Sequence, residues 1–320
     1  MILVVTLNPA LDVTHHVEGA DWAGVNRPHA VHARAGGKGL NVARTLRALD
    51  RPVTVTGLAG GPAGQALASE LAAEGIGVDL TPIAAETRRT FTVADSATGQ
   101  AALFNEPGPP VSAQEYQQFM TSYTEALAGS AAVVLSGSLP LQLPDDAYAG
   151  LIAAAVAAGV PAILDTSGAA LSAGLGAGPA IVKPNLAELE ALTGPSLRGT
   201  GGADLARVER AARLVIARGA GAVAVSLGPD GLLAVAPDGC WHARPPAQVQ
   251  GNPTGAGDAV VAGLADSLVA GRSWAERLRH AVALGSAAAA APVAGEFAAE
   301  DYERLLPDVR VSACMAGRQG

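Results

Sequence analysis

Cysteine is nearly absent from this chain of 320 residues, with only Cys240 and Cys314 present. Two cysteines so far apart in sequence exclude a disulfide-stapled miniprotein and form no metal or redox motif; inert thiols in a reducing compartment are expected. Aromatic residues make up 3% and charged residues 16% against 49% hydrophobic, a balance that excludes disorder as the main state. Positive charge is scarce too, and a formal charge of −8 offers no basic field for nucleic acid or anionic lipid. Long hydrophobic runs are missing: Leu151 to Leu164 and Ala281 to Val293 are interrupted by Gly or Pro. Both fall short of the roughly 20 residues that span a bilayer. No basic segment precedes the short apolar run within Met1 to Asp12, which reads as a buried strand rather than a signal peptide, so a cytoplasmic protein is expected. Nor does any G-x-x-x-x-G-K-[ST] sequence occur, which excludes a Walker-type phosphate loop.

What is present is alternation. The β-rich runs 2–5, 53–55, 132–135, 162–164, 181–182 and 223–225 are separated by Ala- and Leu-rich helical patterns. This predicts one α/β domain over residues 1–320, with a central, mostly parallel sheet flanked by helices and a ligand rim at the carboxyl ends of its strands. Two regions break the rhythm. Val13 to Ala35 carries His15, His16, His29 and His32 without metal-ligand spacing, so these read as structural or solvent-facing. Thr87 to Asn105 reads as a hairpin around Gly99. Together the two regions predict a small β-sheet lid over the rim.

Among the glycine-rich segments, Gly219-Ala220-Gly221 follows a helix and leads into a strand, the reverse of a dinucleotide fingerprint. Asn252 to Ala259 is different, because it opens a helical run. There the N–H groups of Gly255, Ala256 and Gly257 can converge on an anion, and Asp258 serves either as a cap or in catalysis. Ala35 to Arg44 is a second turn opening a helix, with Gly37, Lys38 and Asn41 available to a ligand. In Lys183 to Glu188, Asn185 and Glu188 have capping-box spacing; the same side chains could orient magnesium-bound water.

Eight segments in order (Thr6 to Asp12, Ala35 to Ala43, Asn105 to Pro109, Ser136 to Pro140, Leu164 to Gly168, Lys183 to Leu189, Ser226 to Gly231, Gly255 to Asp258) resemble the ribokinase-like, phosphofructokinase-B-type carbohydrate kinases. The resemblance covers nearly the whole chain. It implies an ATP-dependent, Mg2+-assisted kinase with Asp258 as catalytic base and Gly255, Ala256 and Gly257 stabilising the transferred phosphoryl group. It also implies a sugar site of Asp12, Gly37, Lys38, Asn41, Ser138 and the lid arginine Arg88, which Arg27 can join. Lys183, Asn185, Glu188, Ser226, Gly228 and Gly231 correspond to the nucleotide side, with Asn185 and Glu188 holding magnesium through water.

The opening and Asn105-Glu106-Pro107-Gly108-Pro109 resemble the branch acting on ketohexose phosphates. Fructose 1-phosphate is the expected substrate, with tagatose 6-phosphate and fructose 6-phosphate as alternatives, because Thr90 and Ala102-Leu103-Phe104 depart from the branch pattern. A catalytically inactive sugar-phosphate-binding regulator is the competing class. A homodimer through the β lid is expected, since its exposed edges call for a partner.

Overall fold

The computed structural model describes residues 1–246, 254–291 and 293–314, so Asn252 and Pro253 of the glycine-rich turn lie outside the described residues. The first strand, β1 (Ile2–Thr6), lies inside the large sheet and is buried at all five positions. Such an unbroken apolar run is what a strand covered on both faces requires. The chain continues through β2 (Ala10–Val17), β3 (Ala30–Gly36) and α1 (Lys38–Ala48), and returns beside β1 as β4 (Val53–Ala59). α2 (Gly61–Ala73) then leads to β5 (Gly77–Pro82).

After β6 (Arg89–Asp95), β7 (Gln100–Asn105) and α3 (Ala113–Leu127), the chain crosses to the other side of β1. There it adds β8 (Ala132–Ser136), α4 (Ala147–Ala157), β9 (Ala162–Asp165), α5 (Gly168–Gly174), β10 (Ile181–Val182) and α6 (Leu186–Thr193). A short ribbon, β11 (Arg198–Gly199) with β12 (Gly202–Ala203), precedes α7 (Leu205–Ala217) and β13 (Val223–Ser226). Next come β14 (Leu232–Ala236), β15 (Gly239–Arg244), α8 (Ala256–Val269), α9 (Trp274–Ala290), α10 (Ala299–Leu305) and β16 (Arg310–Ala313).

The large sheet runs β16-β15-β14-β13-β10-β9-β8-β1-β4-β5. It is parallel from β13 to β5 and antiparallel from β13 outward to β16. Strand order therefore reverses between β1 and β8, and a crevice opens at the carboxyl ends there. Alternate residues of β1 feed two cores: Leu3 and Val5 pack with residues of α3 to α7, while Ile2 and Val4 pack with those of α1, α2, α8 and α9. Each fully buried Leu or Val in these layers contributes about 1.5–3 kcal/mol.

A second sheet, ordered β3-β2-β6-β7, joins a parallel pair (β2 with β6) to two antiparallel flanks. Gly99 turns the β6–β7 hairpin with φ of 69°. Asp95 ties the segment after β2 to that hairpin by accepting from the backbone N–H groups of Gly19 (2.8 Å) and Ala20 (3.1 Å).

The cysteines correct the expectation of inert thiols. Cys240 and Cys314 form a disulfide with Cα atoms 5.2 Å apart. Their separation of 74 residues is bridged because β15 and β16 pair antiparallel, with Trp241 opposite Ala313, which brings the next pair of positions face to face. Among the described residues no helix is long and apolar enough to cross a membrane.

Candidate active site

The rim of the parallel sheet collects most of the residues singled out in the sequence. Asp165 ends β9 and is 1% exposed. The ammonium of Lys183, just past β10, lies 3.1 Å from one of its oxygens, and that of Lys38, at the start of α1, lies 3.7 Å from the other. Burial alone would pull Lys183 down, but the charge of Asp165 and the contact with it outweigh that and raise it. Lys183 therefore keeps its charge inside the protein.

Asp258 stands in the first turn of α8, buried, and accepts a 2.8 Å hydrogen bond from the side-chain amide of Asn41 in α1. Burial pushes its carboxyl up to about 6, and the like charge of Asp165 adds to this; Asn41, Lys38 and Lys183 act in the opposite direction. Gly255 caps α8 in the left-handed region at φ 86°. A Cβ there would press on the backbone of Ala294 and Gly295, so both conformation and space demand glycine. Ala256 and Gly257 follow in the first turn, at the positive end of the helix. Gly257 faces the ammonium of Lys183, so a cation and the positive end of a helix border the same space.

Sugar-side residues come from both sheets. Asp12 lies on β2, and burial raises its carboxyl, offset in part by Thr90 and by the charges of Arg88, Arg44 and Arg34. Gly37 caps α1 one residue before Lys38. Arg88 precedes β6 and donates from Nε and Nη2 to the main-chain oxygen of Asn8, at 3.3 and 3.2 Å. Ser138, beyond β8, accepts a 3.0 Å hydrogen bond from the Asn8 side chain.

On the opposite flank, Asn185 and Ser226 form an isolated parallel bridge that joins the ends of β10 and β13. Gly228 and Gly231 bound the turn that follows, where the N–H of Leu227 donates to the oxygen of Gly231 at 2.9 Å. Asn185 and Glu188 form the reciprocal capping box of α6, each backbone N–H donating to the other's side chain at 2.8 Å. The cap uses one carboxylate oxygen of Glu188, and a hard anionic oxygen suits a hydrated magnesium ion.

Arg27 is not drawn into the site: it lies exposed between β2 and β3, with no hydrogen bond or ion pair to the sugar-side residues among those described. Sequence reasoning missed Asp165 and Asn8. Both sat inside quoted motifs, but neither carries a signal that separates it from an ordinary strand-end residue until its partners are known.

A reversed strand order beside a helix-start carboxylate, with a small second sheet that carries Asp12, places the protein among the ribokinase-like α/β kinases. A profile of the pfkB family carbohydrate kinases matches residues 4–300. The chain is 40% identical over 269 residues to a 1-phosphofructokinase of Xanthomonas campestris, covering 82% of each chain. It is 40% identical over 283 residues to a 1-phosphofructokinase of Rhodobacter capsulatus, covering 88% of each. The solved structure of Escherichia coli phosphofructokinase-2 in complex with fructose-6-phosphate superposes with a TM-score of 0.85 at 34% identity, covering 96% of this chain and 98% of that one. The chain belongs to the pfkB family and is a carbohydrate kinase.

Proposed function

We propose that the protein is a 1-phosphofructokinase, transferring the terminal phosphoryl group of ATP to the 6-hydroxyl of fructose 1-phosphate. The observation that carries the reading is the buried Asp258 carboxylate at the start of α8, oriented by Asn41. Raised to about 6, it is ionised at neutral pH yet basic enough to take the proton of the attacking hydroxyl. The N–H groups of Gly255, Ala256 and Gly257 receive the charge that develops on the transferred phosphoryl group.

Asp12, Gly37, Lys38, Asn41, Arg88 and Ser138 hold the phosphosugar, and Arg27 reaches it only if its segment closes over the rim. Lys183, Asn185, Glu188, Ser226, Gly228 and Gly231 form the nucleotide side. Asn185 and Glu188 would hold magnesium through water, and the ion would neutralise phosphate charge there. Two relatives bearing the name at 40% identity support fructose 1-phosphate over its isomers. Fructose 6-phosphate is the second reading, favoured by the name of the superposed E. coli complex; tagatose 6-phosphate is the third. The intact Asp258 and its glycine turn argue against an inactive regulator.

The kinase works in the cytoplasm, where its nucleotide and sugar phosphate are held. It pairs as a homodimer through the small sheet, on which Val31 and Phe104 are more than half exposed. A coupled ADP-release assay over fructose 1-phosphate, fructose 6-phosphate, tagatose 6-phosphate, fructose and ribose tests the reading. Highest kcat/KM on fructose 1-phosphate is the expected result, and a preference for an unphosphorylated sugar overturns it.

A further inference from the structure

Asn8 lies just beyond the carboxyl end of β1 and Ser138 just beyond that of β8, so the bond between them spans the crevice where strand order reverses. Asn8 is 9% exposed. Its amide nitrogen donates to Ser138 Oγ at 3.0 Å and toward the main-chain oxygen of Leu139 at 3.4 Å. A carbonyl can only accept, so Leu139 fixes which end of the amide faces this way. The main-chain oxygen of Asn8 accepts from both Nε and Nη2 of Arg88.

Two donors are thereby aimed. Because Ser138 Oγ accepts from Asn8, the serine's own O–H proton is turned away from Asn8, and Ser138 is solvent-exposed. With Nε and Nη2 of Arg88 engaged on the Asn8 carbonyl, its Nη1 edge is left for another acceptor. A hydroxyl donor and a guanidinium edge held from one residue suit a tetrahedral oxyanion.

The remaining Asn8 atom, Oδ1, is buried without a hydrogen-bond donor among the described residues. Gly108 closes over it: a Cβ there would sit 2.6 Å from Oδ1 and 2.8 Å from Nδ2. Burying an amide oxygen without a donor is unfavourable, so packing alone does not account for an asparagine here.

We propose that Asn8 is the positioning residue of the phosphosugar site, orienting Ser138 and Arg88 as a paired donor set for the phosphate that the substrate already carries. The proposal rests on the phosphosugar kinase reading above. Asn8→Asp reverses the polarity: the carboxylate accepts the Ser138 proton, turns the serine's lone pairs outward and adds a negative charge beside the anion site. Gly108→Ala displaces the Asn8 side chain from outside the site.

Steady-state kinetics on purified full-length variants test this. Asn8→Asp is expected to raise KM for fructose 1-phosphate at least tenfold, with kcat and KM for ATP within threefold of wild type. Gly108→Ala is expected to shift the same constant in the same direction. In a double-mutant cycle, Asn8→Ala with Ser138→Ala is expected to cost little more than Ser138→Ala alone, since one acts through the other. A phosphosugar KM within twofold of wild type in Asn8→Asp, an equal fall in kcat, or additive effects in the cycle overturns the proposal. Wild-type protein that turns over no phosphosugar overturns the kinase reading itself.

Discussion

Asn41 donates to Asp258 across 217 residues of chain, from the first turn of one helix to the first turn of another. The bond fixes one carboxylate oxygen of Asp258. Asp258→Asn keeps the shape and is expected to lower kcat by about 10² or more, with both KM values within a few-fold. Near-normal turnover in a steady-state assay would leave Asp258 a helix-start residue with no part in proton transfer.

The same residue sets the acid limb of the pH profile. Burial together with Asp165 raises Asp258 to about 6, so kcat/KM is expected to climb with pH through about 6 and level off above it. Asp165→Asn removes the like charge and moves the limb to lower pH; a limb that stays in place contradicts the electrostatic account. Stability runs the other way. Folded Asp258 holds its proton more tightly than the unfolded chain, so its contribution is full below pH 3.8 and is lost as pH rises to about 6. Asp258→Asn is therefore expected to stabilise the protein above pH 6, on the order of 3 kcal/mol, and to have no effect at pH 3 by thermal or urea unfolding.

Glu188→Gln separates a cap from a metal ligand, because glutamine also completes a capping box. Helix α6 should persist and thermal stability stay near wild type, while the magnesium concentration for half-maximal rate rises more than KM for the sugar. Unchanged magnesium dependence would confine Glu188 to its cap.

Arg88 reaches the sugar side from the segment before β6 and Lys38 from the start of α1, and burial lowers Arg88 against the attraction of Asp12 and Glu106. A desolvated guanidinium gains from an anionic ligand. Arg88→Ala is expected to raise KM for the phosphosugar at least tenfold, about 1.4 kcal/mol, with KM for ATP within a few-fold. An equal rise in both constants would point to a collapsed lid.

Closing a loop of 74 residues, the Cys240–Cys314 bond is expected to stabilise the folded chain by about 4 kcal/mol in the chain-entropy account. Cys314→Ser and reduced wild type should unfold at the same lower denaturant concentration. Two reactive thiols titrated in denatured, unreduced protein would remove the bond.

Alternation and glycine-rich turns made the parallel sheet, its rim and the helix-start aspartate legible, because periodicity and capping are local. The disulfide was not, since it depends on β15 and β16 meeting at the sheet edge. Asp165 and Asn8 stayed hidden for a related reason: each acquires meaning from a partner on another strand, Lys183 for one and Ser138 for the other. Arg27 shows the converse, a plausible cation that the described structure leaves exposed.

The small sheet pairs β2 with β6 in parallel, and between them the chain must complete α1, β4, α2 and β5 of the large sheet. A parallel pair cannot close through a tight turn. Pairing β2 with β6 therefore closes a long stretch of chain, an entropic cost that the local β2–β3 and β6–β7 pairs do not carry, which makes the centre of the small sheet its slowest contact to form.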